Sequence, residues 1–323
     1  MKQNLKAAML AGGIAIGAAG LAGAAAYGVT KLLVQAAIDR EQPEIIKKAT
    51  RRITGTYYSA EFLAEWDRLA EAVAEKPHEV VTITANDGTH LVGHFFSCEN
   101  PKRVIVAMHG WRGRWNKDFA MILDFFLENG CCVLCAEQRG QGTSGGDSMG
   151  FGLTERYDCR DWAHWAVLRC GDKLPIYLCG ISMGATTVLM ASGLDLPKSV
   201  HGVMADCGFT SPDAEWKHVM ENNLHLPYRF HSRLADLMFS QKNSAHLTDY
   251  STVDALRKTD LPVLFVHGTS DFLVPVEMTY ENYQACRSPK RLLIVPGADH
   301  GVSYCVERER YEQAVKDFWR DFD

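Results

Sequence analysis

The stretch Leu178–Met190, LCGISMGATTVLM, places a serine between two glycines directly after an apolar, strand-like run. Gly180 and Gly184 flank Ser182, and Ala185 follows. A serine that only packs in a core needs no such clearing of small residues. A serine held at a sharp strand-to-helix turn does, because the backbone there is strained and neighbouring segments pass close. The pattern therefore predicts a strand, a tight elbow carrying Ser182, and a helix from Met183.

Working outward, the same alternation recurs. From Glu79, VVTIT and HLVGHFF flank the turn signal Asn86-Asp87-Gly88 and read as a hairpin. RVIVAMH, CCVLCAE, LPIYLCG, VHGVMAD, LPVLFVHG and RLLIVPG then alternate with helical stretches. Near-continuous apolar strands separated by helices imply an α/β fold: a mostly parallel sheet with helices on both faces. The 323 residues suffice for one large domain with appendages, and 47% hydrophobic residues mark a globular chain. A net charge of −5 makes no case for nucleic-acid binding.

Ligands and reacting groups of open α/β sheets collect at the carboxyl ends of strands. Those positions hold His109-Gly110-Trp111, Ser182, Asp271 and His300. Ser, Asp and His in that order suit nucleophilic catalysis. A serine hydroxyl is a weak nucleophile and needs a base, which His300 supplies near neutrality. Asp271 would fix the imidazole tautomer and stabilise the imidazolium. The backbone N–H groups of Met183 and Trp111 are the natural oxyanion donors. Asp206, at the end of VHGVMAD, is a rival for the acid role; Asp299, adjacent to His300, is poorly placed to meet it.

With His109-Gly110, EQRGQGTS, GISMGA, HGTSDFLVP and GADH in register, residues 79–323 resemble the α/β-hydrolase superfamily. The hydrophobic N-terminus and CGFTS at Cys207–Ser211 make the chain most similar to membrane-associated bacterial hydrolases assigned as esterases or serine peptidases. The resemblance implies a serine hydrolase that cleaves a carboxylic ester through an acyl-enzyme on Ser182, with a serine peptidase or amidase as the alternative. The partner implied is a small-molecule acyl ester or peptide, with no cofactor and no metal. A non-catalytic, membrane-tethered binding module is the rival of another class, and retention of Ser, Asp and His argues against it. Glu137 departs from the pattern, since the superfamily more often has Asp there.

Other motifs have plainer readings. Gly140-x-Gly142-x-x-Gly145 imitates a dinucleotide fingerprint but lacks a following helix, so a turn is expected. Cys132 and Cys135 spell C-x-x-C, yet within a strand they point to opposite faces. His109 reads as support for its turn, and Arg139 as a tie between loops. Arg112, Arg114 and Trp115 could recognise a carboxylate or phosphate, although arginines on such loops usually face solvent. His218, His225, His231 and His246 lack the spacing of a helical zinc site and read as surface residues.

The N-terminus carries a different signal. Twenty-four uncharged residues lie between Lys6 and Lys31, long enough to cross a bilayer. Residues 1–30 are therefore expected to be a membrane anchor, with a signal peptide as the alternative, since Ala24-Ala25-Ala26 resembles a cleavage site. The cations from Lys31 to Arg52 outnumber Lys2 and Lys6, which favours a single-pass protein with a cytoplasmic catalytic domain. Residues 31–78 read as a helical connector, with a helix from Ser59 to Glu75 bearing Phe62, Leu63, Trp66, Leu69, Ala70 and Val73 on one face. Residues 211–250 read as a small helical cap, with Trp216, Val219, Met220 and Leu224 in one apolar stripe and Leu234, Leu237 and Met238 in another.

Overall fold

The computed structural model describes residues 23–42, 47 and 58–323. Eight strands form one sheet: β1 (Glu79–Thr84), β2 (His90–Phe96), β3 (Arg103–Met108), β4 (Cys131–Ala136), β5 (Ile176–Ile181), β6 (Val200–Asp206), β7 (Val263–Gly268) and β8 (Lys290–Val295), in the spatial order β1-β2-β4-β3-β5-β6-β7-β8. β2 pairs antiparallel with both β1 and β4, and every other pair is parallel. The Asn86–Gly88 hairpin forms as the turn residues dictate, with Gly88 at φ 86°.

Every residue of β3, β4 and β7 is buried, which is why these strands read as unbroken apolar runs rather than alternating ones. The two faces feed separate cores. Cys132, Leu134 and Ala136 join one core, while Cys131, Val133 and Cys135 join the other. Cys132 and Cys135 thus face opposite ways, as strand geometry requires. Cys132 instead approaches Cys98, with 3.3 Å between their sulfurs, a contact that sequence spacing does not reveal.

The elbow at Ser182 joins β5 to the helix Met183–Ala191. Ser182 sits at φ 57°, ψ −121°, a strained conformation for a residue with a Cβ. Two glycines make it possible. A Cβ on Gly184 would overlap the carbonyl of Met108 at the end of β3, and one on Gly180 would overlap the backbone of Gly184 itself. The N–H of Ser182 donates to Asp206 O at 2.9 Å, tying the elbow to β6.

The helix Ala60–Glu75 starts where its cap requires, Ser59 Oγ accepting from Phe62 N at 3.1 Å. Its Trp66 indole donates to Lys117 O at 2.8 Å, fastening it beside the loop after β3.

The expected membrane anchor needs correction. Among the described residues no helix is long and apolar enough to cross a membrane, so the single-pass localisation, and the cytoplasmic orientation drawn from it, fall. Residues 7–22 of the uncharged run lie outside the described residues. Residues 23–38 are helical, cross the expected boundary at residue 30, and pack on the protein. Val34 and Ile38 are buried in a third core with Phe151, Trp216 and Phe239. Thr30 Oγ donates to Ala26 O and accepts from His231 Nδ1, both at 2.7 Å. His231 is therefore a buried anchor point rather than the surface residue its spacing suggested.

Residues 211–250 form the helix Pro212–His218, a π turn at Val219–Asn223 and the helix Tyr228–Asn243. Ser211 caps the first, accepting from Ala214 N at 3.1 Å. Trp216 and Met220 are buried as the first stripe predicts. The second stripe is rotated: Tyr228, His231, Ala235 and Phe239 form the buried face, and Leu237 is 51% exposed. The sequence signal misled because the buried face of this helix includes a histidine bonded to Thr30.

The elbow yields a direct test. Gly184→Ala forces a methyl into the β3 carbonyl, and overpacking of this kind costs about 1–3 kcal/mol. The urea midpoint should fall accordingly; a midpoint equal to that of the unmodified chain would mean that the close approach does not exist.

Candidate active site

Three strand ends deliver the site: Ser182 follows β5, Asp271 follows β7 and His300 follows β8. His300 Nε2 lies 2.8 Å from Ser182 Oγ, and His300 Nδ1 lies 2.8 Å from Asp271 Oδ2. Nδ1 faces a carboxylate and so carries the proton, which leaves Nε2 to accept from the serine hydroxyl.

The side chain of Asp271 is buried but not short of partners. Its Oδ1 accepts from Leu273 N at 3.0 Å and Val274 N at 2.9 Å. Its Oδ2 accepts from His300 and from His267 Nε2 at 3.0 Å. His267 Nε2 also faces Val274 O, so it must be the protonated nitrogen, and Nδ1 accepts from Thr279 Oγ1 at 2.6 Å. Burial alone would raise the Asp271 carboxyl, but the His300 charge and the two imidazole hydrogen bonds outweigh it and hold it well below the usual carboxylate range. Burial works against the His300 imidazolium too, and the Asp271 charge overrides it, lifting His300 well above its ordinary value.

The rival acids are engaged elsewhere. Asp206 Oδ1 accepts from Ser303 Oγ at 3.2 Å, and burial pushes its carboxyl up to about 6. Asp299 Oδ1 accepts from the backbone N–H groups of His300 and Phe272.

The turn after β3 is held from several sides. His109 Nδ1 donates to Gly110 O at 2.8 Å, and its Nε2 accepts from Gln138 N at 3.1 Å. Asp118 Oδ2 accepts from Gly110 N at 2.7 Å. The N–H of Met183 opens a helix and has no intrahelical partner. Further out, Glu137 Oε2 accepts from Thr143 Oγ1 at 2.8 Å and Ser144 N at 3.2 Å, while Oε1 meets His94 Nε2 at 2.8 Å. The longer Glu thus gathers its whole loop. Arg139 grips Asp158 with Nε at 2.6 Å and Nη2 at 2.5 Å, and reaches Asp87 at 2.7 Å, the loop tie expected of it.

A cavity of about 410 Å³ opens onto Ser182 and His300. Trp111 and Arg112 line it, as do Gln42, Lys47, Tyr58 and Trp66 from the chain before β1. Tyr58 Oη donates to His300 O, and burial raises its phenol far above the ordinary range. The sequence offered no signal for these four residues, because nothing periodic links them to the strand ends. Glu215, in the helix Pro212–His218, is buried with one carboxylate oxygen unpartnered among the described residues. Burial pushes it up to about 8, so it is neutral near pH 7.

Of the loop candidates, Arg114 pairs with exposed Asp67 at 3.2 Å, Trp115 stacks on His94 at 3.6 Å, and Arg112 lines the cavity. Among the described residues, Cys207, Asp271 and His300 bring three potential metal-ligand atoms within 4.8 Å of one another. The Asp271 carboxylate already accepts four N–H donors, a set suited to ordering imidazole rather than holding an ion.

An α/β-hydrolase-fold family model matches residues 103–252. The Bacillus subtilis protein YqkD is 28% identical over 196 residues, covering 61% of this chain and 64% of that one, so the match spans less than two thirds of this relative. A non-heme haloperoxidase from Rhodococcus erythropolis is 23% identical over 270 residues, covering 68% of this chain and 92% of its own length. A solved esterase from Pyrococcus furiosus superposes with a TM-score of 0.61 at 22% identity, over 76% of this chain and 91% of that one. By sheet order, the family match over residues 103–252 and structural likeness, the chain has the α/β-hydrolase fold.

The carboxylate's hold on His300 predicts a titration. The imidazole should titrate above its ordinary value of about 6.5, and Asp271→Asn should bring that midpoint down, since the stabilising charge is gone. Imidazole NMR across pH reads both; a midpoint unmoved by the substitution would break the coupling.

Proposed function

We propose that the chain is a serine hydrolase that cleaves carboxylic esters through an acyl-enzyme on Ser182. One observation supports this above others: the unbroken hydrogen-bonded chain from Ser182 Oγ through His300 to Asp271, with 2.8 Å at each link. His300 Nε2 takes the hydroxyl proton as Oγ attacks the ester carbonyl carbon. Asp271, held ionised by four donors, stabilises the imidazolium. The N–H groups of Met183 and Trp111 receive the oxyanion. Collapse of the tetrahedral intermediate expels the alcohol, protonated by His300. Water, activated by the same imidazole, then releases the acid and restores Ser182. The helices over residues 211–250 contribute none of the residues that line this cavity, and their Trp216 and Met220 share a core with Val34 and Ile38 instead.

A fluorophosphonate probe should label the chain, and Ser182→Ala should abolish labelling and lower ester turnover by orders of magnitude. Persistent labelling in that variant would remove Ser182 from the role. A panel of nitrophenyl esters beside peptide anilides then separates ester from amide preference.

Asp271→Asn should keep the fold and cost on the order of 10⁴ in kcat by analogy with the serine-protease acid. Asp206→Asn should leave most activity, because its carboxylate bonds Ser303 rather than His300. The opposite ranking in two equally stable variants would transfer the acid role to Asp206.

A further inference from the structure

Arg112 follows the expected oxyanion donor Trp111 and is held at φ 52°, a conformation a non-glycine residue adopts only under constraint. Its guanidinium lies over the Trp111 ring, 5.1 Å from the centroid, in the wall of the catalytic cavity. Nη2 donates to Ala36 O at 2.8 Å and Asp39 O at 2.7 Å, where the helix over residues 23–38 ends. That contact uses one nitrogen. Nε is buried and has no partner among the described residues.

No described carboxylate pairs with this cation. Asp39 and Glu41 act on it only through space, and Asp39 is itself engaged by Lys242 at 2.5 Å. The two cavity carboxylates serve backbone amides: Asp118 those of Gly110 and Arg114, and Asp299 those of His300 and Phe272. Arg139 makes the contrast plain, since that buried guanidinium is gripped by Asp158 and Asp87. Burial lowers Arg112 to about 10, so it remains charged at neutral pH. A half-buried cation with no directly bonded counter-ion is left under-compensated unless a ligand supplies the anion.

We propose that Arg112 binds an anionic group of the substrate, a carboxylate or a phosphate, so that the enzyme's substrates are esters carrying negative charge beyond the scissile bond. The planar guanidinium fork suits both anions. Its position one residue past Trp111 would hold the charge beside the carbonyl's docking place. The proposal rests on the acyl-enzyme reading given above.

The full-length chain is assayed with two matched pairs of esters. Nitrophenyl butyrate against mono-nitrophenyl succinate places a carboxylate on the acyl side. A monoacylglycerol against the corresponding acylglycerol phosphate places a phosphate on the alcohol side. The charged member of one pair should be favoured in kcat/KM, and Arg112→Gln should reduce that charged-to-neutral ratio at least about tenfold, as loss of a hydrogen bond to a charged group does. Arg112→Lys should recover part of it. Using the ratio cancels any general loss from a loosened helix over residues 23–38. No charge preference in either pair, or a preference that survives Arg112→Gln, overturns the proposal and leaves Arg112 as a clasp for that helix. Ser182→Ala, run on the neutral esters, reports separately on the acyl-enzyme reading.

Discussion

The close approach at the elbow is the constraint on which the other parts depend. Ser182 adopts a backbone conformation that costs about 1–3 kcal/mol for a residue of its kind. The surrounding packing must over-determine it. β5 brings Gly180 in, the helix leaves at once through Gly184, and the carbonyl of Met108 stands where a side chain on Gly184 would be. The same crowding draws the β3 turn alongside, so that a Cβ on Gly110 would lie 3.3 Å from that of Ser182. Trp111 and Met183 are thereby carried to the same mouth. The serine's place at the cavity wall and the proximity of both candidate donors are one geometric fact.

Asp271 plays the complementary part on the other side of the sheet's end. The stretch HGTSDFLVP works as a unit because its backbone folds round one carboxylate. His267, four residues earlier, donates from the strand, and Leu273 and Val274 donate from the loop that follows. Asp206 also ends a strand and is also buried, yet it lacks that nest of N–H donors, and burial outweighs the neighbours that would lower its carboxyl. The two residues show how environment, not residue type, decides which carboxylate stays charged.

Much of this was legible in the sequence because it is local. Ser59 and Ser211 announce helix starts through contacts three residues away. The buried strands are short apolar runs, and the order of Ser182, Asp271 and His300 follows from strand ends. What escaped was long-range. The uncharged N-terminal run reads as a span when counted, whereas its described part spends Thr30, Val34 and Ile38 on contacts with residues more than a hundred positions away. His231 carries no sequence mark of its burial, and Leu237 was placed on the buried face by hydropathy although a histidine occupies that side. Periodicity reports which residues share a face; it does not report what covers the face.

Tyr58, Gln42 and Trp66 reach the cavity from a part of the chain that precedes β1, outside the stretch matched by the family model. Part of the cavity wall is therefore written apart from the strand ends that carry Ser182, Asp271 and His300. Ser182, Asp271 and His300 stand on strand ends, and changes at Gln42 or Trp66 would refit the mouth, whereas Tyr58 is tied to His300 itself. A lineage that varied Gln42 and Trp66 alone would reshape the cavity's mouth while the strand ends kept their places.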